Sequence, residues 1–163
     1  MTEMLQTRTA MPGQRPIETA RAIHAAATGA LNRYAAPVFD LTVRIAVGMV
    51  FFQSGRQKLL DWDSTVFLFQ DEYKVPLLPP EVAAVMGTFC ELVMPVLLIV
   101  GLGARLAALP LIAMTLVIQF VLGAMNMSYD SMEHIYWLLL LLMIVVRGPG
   151  RLSLDHLIAK RFK

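Results

Sequence analysis

The sequence predicts an all-α integral membrane protein, an up-down bundle of four helices with a short interfacial helix in its first outer loop. Three observations predict this fold class: an apolar composition, four apolar segments, and an uneven distribution of basic residues along the chain. Of the 163 residues, 57% are hydrophobic and 16% are charged, whereas ordinary soluble domains are about 25% charged. This composition excludes a disordered chain and argues against a nucleic-acid-binding domain.

The apolar segments divide the chain into three regions. Residues 1–36 are predicted to be a cytoplasmic tail with a short surface helix, because they lack the apolar core of a signal peptide. Residues 37–149 are predicted to form the transmembrane domain, and residues 150–163 a basic cytoplasmic tail. The four predicted spans are residues 38–60, 82–102, 106–125 and 129–147.

The first three spans are each long enough to cross a hydrocarbon core of about 30 Å. The fourth differs, because its uninterrupted apolar run, residues 135–146, covers roughly 18 Å at about 1.5 Å per residue. It can span only if its helix begins near Tyr129, and that start carries Glu133 and His134 below the membrane surface.

The first outer loop, residues 61–81, mixes aromatic residues with acids at roughly helical spacing before Pro76 and Pro79 break the pattern. Such a segment is typical of a helix that lies in the membrane interface. Pro80 and Glu81 fit the opening of the second span, where proline and an acid are both favoured.

The basic residues predict the topology, since Lys and Arg are enriched in cytoplasmic segments. Ten basic residues lie in the two tails, in the loop between spans two and three or, for Arg147, at the inner end of span four, and three lie at or beyond the outer end of span one. Both termini are therefore predicted to lie in the cytoplasm.

Two charged residues fall well inside the predicted spans, where a charge costs about 2.5–3.5 kcal/mol on insertion scales. Arg44 lies about 9 Å and Glu91 about 16 Å from the inner ends of their helices at the α-helical rise, so an Arg44–Glu91 ion pair is predicted. Such a pair either locks the two helices together or provides a carboxylate for protons or substrate, and both interpretations stay open.

A second polar set lies in the outer half of the predicted bundle. With the fourth helix starting near Tyr129, these residues would line an outward-facing pocket for a quinone-like ring or a small anion, and Glu91, Lys58 and His134 are the catalytic candidates. An ordinary polar cap is the alternative. No metal site is predicted, because no HxxxH or ExxH spacing occurs. The set comprises Gln53, Lys58, Asn126, Glu133 and His134, with Trp137 one turn deeper.

The arrangement of these residues resembles the DoxX family of small bacterial membrane proteins, from about residue 39 to residue 155. The resemblance implies a four-helix protein of the bacterial inner membrane, in a group linked to thiosulfate:quinone oxidoreductase subunits and to complexes that handle thiol or oxidative stress. The motifs are Arg44-x3-Gly48, Gly55-x2-Lys58-Leu59, Pro79-Pro80, Glu91, Gly101-x3-Arg105 and Gly148-Pro149-Gly150-x2-Ser153-Leu154-Asp155.

Carried over residue by residue, Arg44, Lys58, Glu91 and Arg105 match the family's characteristic polar positions. The matching structural positions are Gly48, Gly55, Gly101 and Asp155. The chain has one cysteine, Cys90, and therefore no CxxC pair, so a dithiol-transfer role would need cysteines from a partner.

The leading functional hypothesis is a membrane subunit of a quinone-linked oxidoreductase system that receives electrons from a protein partner. No intrinsic cofactor is evident, a quinone is the expected ligand, and the lipid bilayer and a second copy of the chain are further expected partners. The alternative is a non-catalytic membrane anchor or assembly factor for a partner enzyme. A small-solute transporter is less favoured, because four helices without repeats leave little room for alternating access. Whether the chain itself is an enzyme stays open.

Overall fold

The structure, a computed structural model, describes residues 14–75 and 78–162. The predicted tail's residues 1–13 and the loop residue Pro76 lie outside the described part. Within it every regular element is helical, so the all-α fold class is confirmed. The chain divides into two units, Met1–Ala36 and Pro37–Lys163.

The first unit contains helix α1, Gln14–Ala30, followed by a π-helical segment, Leu31–Ala35. Its described side chains are almost all exposed. The Arg33 guanidinium lies 5.6 Å from the centre of the Tyr34 ring.

The second unit contains the remaining helices. A π-helical segment, Phe69–Tyr73, follows α3, another, Val117–Leu122, follows α5, and a 3-10 turn, Met127–Tyr129, precedes α7. The helices are α2 (Ala36–Leu60), α3 (Trp62–Leu68), α4 (Pro80–Val100), α5 (Ala104–Leu116), α6 (Gly123–Met125), α7 (Met132–Arg147) and α8 (Leu154–Arg161).

Among residues 14–75 and 78–162, three helical runs are long and apolar enough to cross a membrane: Glu18–Leu60, Pro80–Val100 and Ala104–Met125. They contain most of the first three predicted spans. Helix α7 has 16 residues, which is about 24 Å at the α-helical rise, and it is not among them.

The predicted start of the fourth helix near Tyr129 is wrong, because α7 begins at Met132. Asp130 and Ser131 are extended, and the Ser131 hydroxyl accepts a hydrogen bond from the Glu133 backbone N–H at 3.2 Å. A serine in this position satisfies one of the free N–H groups at a helix start. Local capping therefore sets the boundary, and Glu133 lies in the exposed first turn.

Four helices of the second unit contribute to one apolar core, whose buried members include Val47 of α2, Leu98 of α4, Leu111 of α5 and Leu141 of α7. Each of these side chains is at most 1% exposed. Lipid tails are as apolar as these side chains, so in a bilayer close packing rather than the hydrophobic effect holds such helices together.

Helix α3 and the π-helical segment Phe69–Tyr73 that follows it are together called the α3 segment. A second, smaller core joins the α3 segment to the start of α4 through Phe69, Ala83 and Ala84. Helix α3 is capped by Asp61, whose carboxylate accepts hydrogen bonds from the Ser64 N–H at 3.1 Å and hydroxyl at 2.7 Å. These bonds lower the pKa of Asp61. The helix predicted in the first outer loop is therefore present, and α4 begins at Pro80 as predicted.

Candidate functional site

Lys58 of α2 and Glu91 of α4 form a buried ion pair. The Lys58 Nζ lies 2.7 Å from Oε1 and 2.6 Å from Oε2 of Glu91, and the two side chains are 13% and 5% exposed. Nζ also donates to the Ser54 hydroxyl, one turn earlier on α2, at 3.0 Å. An ammonium group has three N–H donors, so these contacts engage all of them.

Gly55 brings the two helices close enough for this pair to form. A Cβ atom at position 55 would lie 2.9 Å from the Glu91 Cβ and 3.0 Å from the Leu92 Cγ. A second small residue, Gly48, faces the Ile99 side chain, which a Cβ would meet at 2.8 Å. The family-motif glycines of α2 therefore act as contact points with α4.

The ion pair lies on the wall of a cavity of about 350 Å³. Helices α4 and α5 and the end of the α3 segment enclose this space, and its lining is mainly apolar. Lys58 and Glu91 are the charged residues among the described lining residues. The lining residues are Lys58, Phe69, Tyr73, Val75, Leu78, Ala83, Met86, Gly87, Cys90, Glu91, Ala113, Met114, Val117, Ile118 and Leu122.

The segment after α3 closes one side of the cavity. Phe69 packs over Gly87, where a Cβ would meet the ring at 2.8 Å, and the Tyr73 ring stacks edge-on against Phe69 at 4.9 Å. Burial raises the pKa of the Tyr73 hydroxyl, and the carboxylates of Glu91 and Glu72 raise it further. Tyr73 therefore stays a neutral side chain at physiological pH.

The turn between α5 and α7 contacts the segment Phe69–Tyr73 through a hydrogen bond and a ring contact. The Tyr129 hydroxyl donates a hydrogen bond to the Glu72 carboxylate, and the Tyr129 ring lies 6.3 Å from the Tyr73 ring. On the same turn, the Gln119 amide donates to Asp130 at 2.5 Å. The wall of the cavity is thus tied to a second loop.

The predicted Arg44–Glu91 ion pair is wrong. Arg44 is fully buried, and its guanidinium donates to the carbonyl oxygens of Ile99 at 2.8 Å, Leu98 at 3.4 Å and Leu152. Carbonyls in the last turn of a helix lack intrahelical partners, and α4 ends at Val100. Arg44 therefore binds the C-terminal end of α4, while Glu91, which lies near the middle of α4, forms its ion pair with Lys58.

The outer polar pocket is not assembled as predicted. His134 Nδ1 lies 3.0 Å from the Gln119 Oε1, and its ring stacks edge-on against Trp137, which in turn contacts Phe51. None of these residues lines the cavity beside Lys58. Three further members of the predicted pocket, Gln53, Asn126 and Glu133, are exposed.

The family-motif residues near the C-terminus close the ends of α4, α5 and α7. The Asp155 carboxylate accepts from the backbone N–H of Gly103 at 2.8 Å and of Ala104 at 3.3 Å, and the Asp155 N–H donates to the Gly101 carbonyl at 3.0 Å. Arg105 donates to the Val146 carbonyl at 3.4 Å. These residues have a structural role.

The two motif glycines that flank Pro149 have positive φ angles, +84° at Gly148 and +77° at Gly150. At Gly150 a Cβ would also lie 2.6 Å from the Asp40 carboxylate. Asp40 in turn pairs with Arg147 at 3.7 Å. The glycines are needed for this tight turn after α7.

Sequence reasoning missed Phe69, Tyr73 and Cys90 as cavity residues. Helical spacing places Gly87 and Glu91 on one face of α4, and this was the available signal for the cavity wall. In the described part of the chain, no group of three or more histidine, cysteine, aspartate or glutamate residues could hold a metal ion.

Comparison with known proteins assigns the chain to a family. The family model DoxX matches residues 39–124, a range that contains Arg44, Lys58 and Glu91. The chain is similar to an uncharacterized protein of Haemophilus influenzae, with 30% identity over 129 residues that cover 74% of this chain and 83% of that protein. No solved structure gives a significant match. Because the family match covers more than half of its residues, the chain belongs to the DoxX family.

Proposed function

We propose that this chain is a membrane subunit of a quinone-linked oxidoreductase system and that the cavity beside Lys58 and Glu91 binds the quinone headgroup. The observation that carries this proposal is a buried ion pair on the wall of an otherwise apolar cavity of about 350 Å³. Sites for small organic ligands have this character, with apolar walls and a few placed polar groups.

The ion pair has the chemistry that a quinone requires. A quinone carbonyl is a hydrogen-bond acceptor, and in this proposal it takes over the Lys58 N–H that the Ser54 hydroxyl accepts in the structure, while Glu91 balances the Lys58 charge. Reduction to the quinol consumes two electrons and two protons, and the proposal puts the Lys58–Glu91 pair on the path of these protons. No redox cofactor of its own is proposed for this chain, so a partner subunit supplies the electrons.

The cavity also suits a ligand dissolved in the bilayer. Its lining residues Met86 of α4 and Ala113 and Val117 of the α5 run are exposed, which places an opening between these two runs. In the proposed membrane arrangement this opening faces lipid, so a quinone with an isoprenoid tail enters sideways.

This proposal includes the membrane arrangement itself. Helices α2, α4, α5 and α7 form an up-down four-helix bundle in the bacterial inner membrane, with α3 in the outer interface and both termini in the cytoplasm. The shared core of the four helices supports the bundle, and the ten-to-three distribution of basic residues supports the orientation. A homo-oligomer is compatible with it.

A non-catalytic anchor is the second candidate, and one observation favours it. Apart from the Lys58–Glu91 pair, the main buried or half-buried charges of the second unit, Arg44 and Asp155, hold helix ends together. An anchor would use Lys58 and Glu91 in the same way.

Quinone binding by the purified protein separates the two candidates. The protein is placed in lipid nanodiscs and titrated with a short-chain benzoquinone by calorimetry, with empty nanodiscs as the background. The decisive variant combines Lys58→Met with Glu91→Leu, because replacing a whole buried ion pair by apolar groups usually preserves folding. We expect binding to weaken at least about tenfold, or ~1.4 kcal/mol.

The matched control removes a second ion pair, by Arg147→Met with Asp40→Leu, at the far end of the bundle. It should bind the quinone as the parent protein does, and thermal unfolding checks that both double variants are folded. Equal affinity of the parent and the Lys58/Glu91 double variant would contradict a quinone site and favour the anchor.

A further inference from the structure

Helix α8, Leu154–Arg161, carries an unpartnered apolar stripe. Leu157 is 60% exposed and Ile158 is 45% exposed, and both lie on the same side of the helix as Leu154 because residues three and four apart are neighbours. Phe162, directly after the helix, is 86% exposed. The stripe therefore has no covering element within the described part of the chain.

The position of α8 is fixed by its first turn. Asp155 is hydrogen-bonded to the turn between α4 and α5 through Gly101, Gly103 and Ala104, and the Leu152 carbonyl accepts from Arg44. The runs Pro80–Val100 and Ala104–Met125 are each long and apolar enough to cross a membrane, so their connecting turn lies at a membrane surface. Helix α8 starts at that surface.

Positive charge surrounds the stripe. The acids at this end are engaged, since Asp40 pairs with Arg147 and Asp155 caps α5. Basic side chains exposed at the same end are Arg105, Arg147, Arg151, Lys160 and Arg161. An apolar stripe flanked by basic residues is the pattern of helices that lie in the interface of an anionic membrane.

We infer that α8 lies in the headgroup layer, with Leu157 and Ile158 in the acyl boundary and Lys160 and Arg161 bound to anionic phospholipid headgroups. Charge complementarity selects the anionic lipid as the occupant. The inference is independent of the quinone proposal, because none of its residues lines the cavity.

The test measures the depth of α8 in nanodiscs of stated composition. Leu157→Cys is introduced in a Cys90→Ala background and labelled with an environment-sensitive fluorophore. Nanodiscs of phosphatidylcholine are compared with nanodiscs that also contain phosphatidylglycerol. We expect a blue shift and quenching by brominated acyl chains, both stronger with phosphatidylglycerol, and weaker effects for the same label at His156→Cys on the polar side.

Charge removal then tests the headgroup contact. Lys160→Gln with Arg161→Gln should reduce the phosphatidylglycerol response to the level seen in phosphatidylcholine. Arg56→Gln with Lys74→Gln, which removes the same charge at the other end of the bundle, should leave the response unchanged. A label exposed to water in both lipids would overturn the inference, as would a blue shift without quenching by brominated lipid, which indicates a protein covering. An unchanged response in the Lys160/Arg161 variant would overturn the headgroup contact.

Discussion

Single side chains in this protein carry buried charge in two different ways. Lys58 and Glu91 neutralise each other beside the cavity, whereas Arg44 is held by backbone carbonyl oxygens at the end of α4 and at Leu152. Burying a charge costs less when it is paired or hydrogen-bonded. The two terminal nitrogens of Arg44 make such bonds, whereas its Nε has no hydrogen-bond partner in the described part of the chain. Arg44 therefore fastens chain segments together, and we expect its substitution to affect stability more than binding.

Replacing Arg44 by Lys should lower the melting temperature of the protein, although the positive charge is kept. A lysine has no planar guanidinium that can reach several carbonyls at once, and a buried carbonyl left without a donor costs about 1–3 kcal/mol. Thermal unfolding followed by circular dichroism in detergent measures the change. Arg56→Lys, on the exposed side of α2, is the control and should melt like the parent; equal melting of the two variants would refute this role.

The sequence was sufficient to identify Arg44, Lys58 and Glu91 as charges within apolar segments, but it did not give their pairing. Helix rise places Arg44 and Glu91 within reach of each other, so that pair was predicted. The actual pair depends on the register of α2 against α4 where Gly55 meets Glu91. The register of one helix against another is a tertiary property, and the spacing of residues within one helix does not determine it.

At the level of elements, the α3 segment and the turn between α5 and α7 act together through one hydrogen bond. The Tyr129 hydroxyl donates to Glu72, and this bond is the main cause that raises the pKa of Tyr129 above its usual value. Only the neutral tyrosine makes the bond. Its stabilising contribution is therefore complete below the unfolded-state pKa of about 10 and is lost as the pH rises through the higher folded-state value.

Tyr129→Phe should loosen the α3 segment at neutral pH and remove this alkaline dependence. Hydrogen exchange of the backbone amides in the segment Phe69–Tyr73 is the measurement, and we expect faster exchange in the variant. Tyr136→Phe, at an exposed tyrosine on α7, is the matched control and should exchange like the parent. Identical exchange in both variants would show that the bond does not hold the segment.

The sequence predicted which helices exist more reliably than it predicted where each helix begins and ends. The apolar runs and the Pro79–Pro80 pair predicted α2, α4 and α5, and the aromatic residues predicted a helix in the first outer loop. The start of α7 was misplaced, because the prediction matched helix length to membrane thickness whereas the Ser131 cap determines the start. His134 contacts Gln119 and does not line the cavity beside Lys58.

For the whole molecule, the proposed orientation makes a direct prediction. A fluorescent protein fused after Lys163 should fluoresce, because it folds in the cytoplasm, and alkaline phosphatase fused there should be inactive. Alkaline phosphatase fused after Lys74, in the first outer loop, should be active because that loop faces outward, and this fusion is the control. The opposite pattern would reverse the orientation derived from the basic residues.

Composition and hydropathy were enough to predict a membrane protein, because both are sums over the chain. The cavity was not predictable in this way. It exists because the segment after α3 folds back, so that Phe69 covers Gly87 and Tyr73 meets the wall formed by α4 and α5. The local sequence around either residue does not predict such a tertiary contact.

The contact between Arg44 and Leu152 has a consequence for biosynthesis. The two residues are 108 positions apart in the chain, so Arg44 leaves the ribosome long before its acceptor has been made. Its other acceptors, Leu98 and Ile99, also come later. Helix α2 is therefore synthesised before every hydrogen-bond acceptor of its Arg44 guanidinium, and this set of contacts is complete only after the segment that follows α7 has been synthesised.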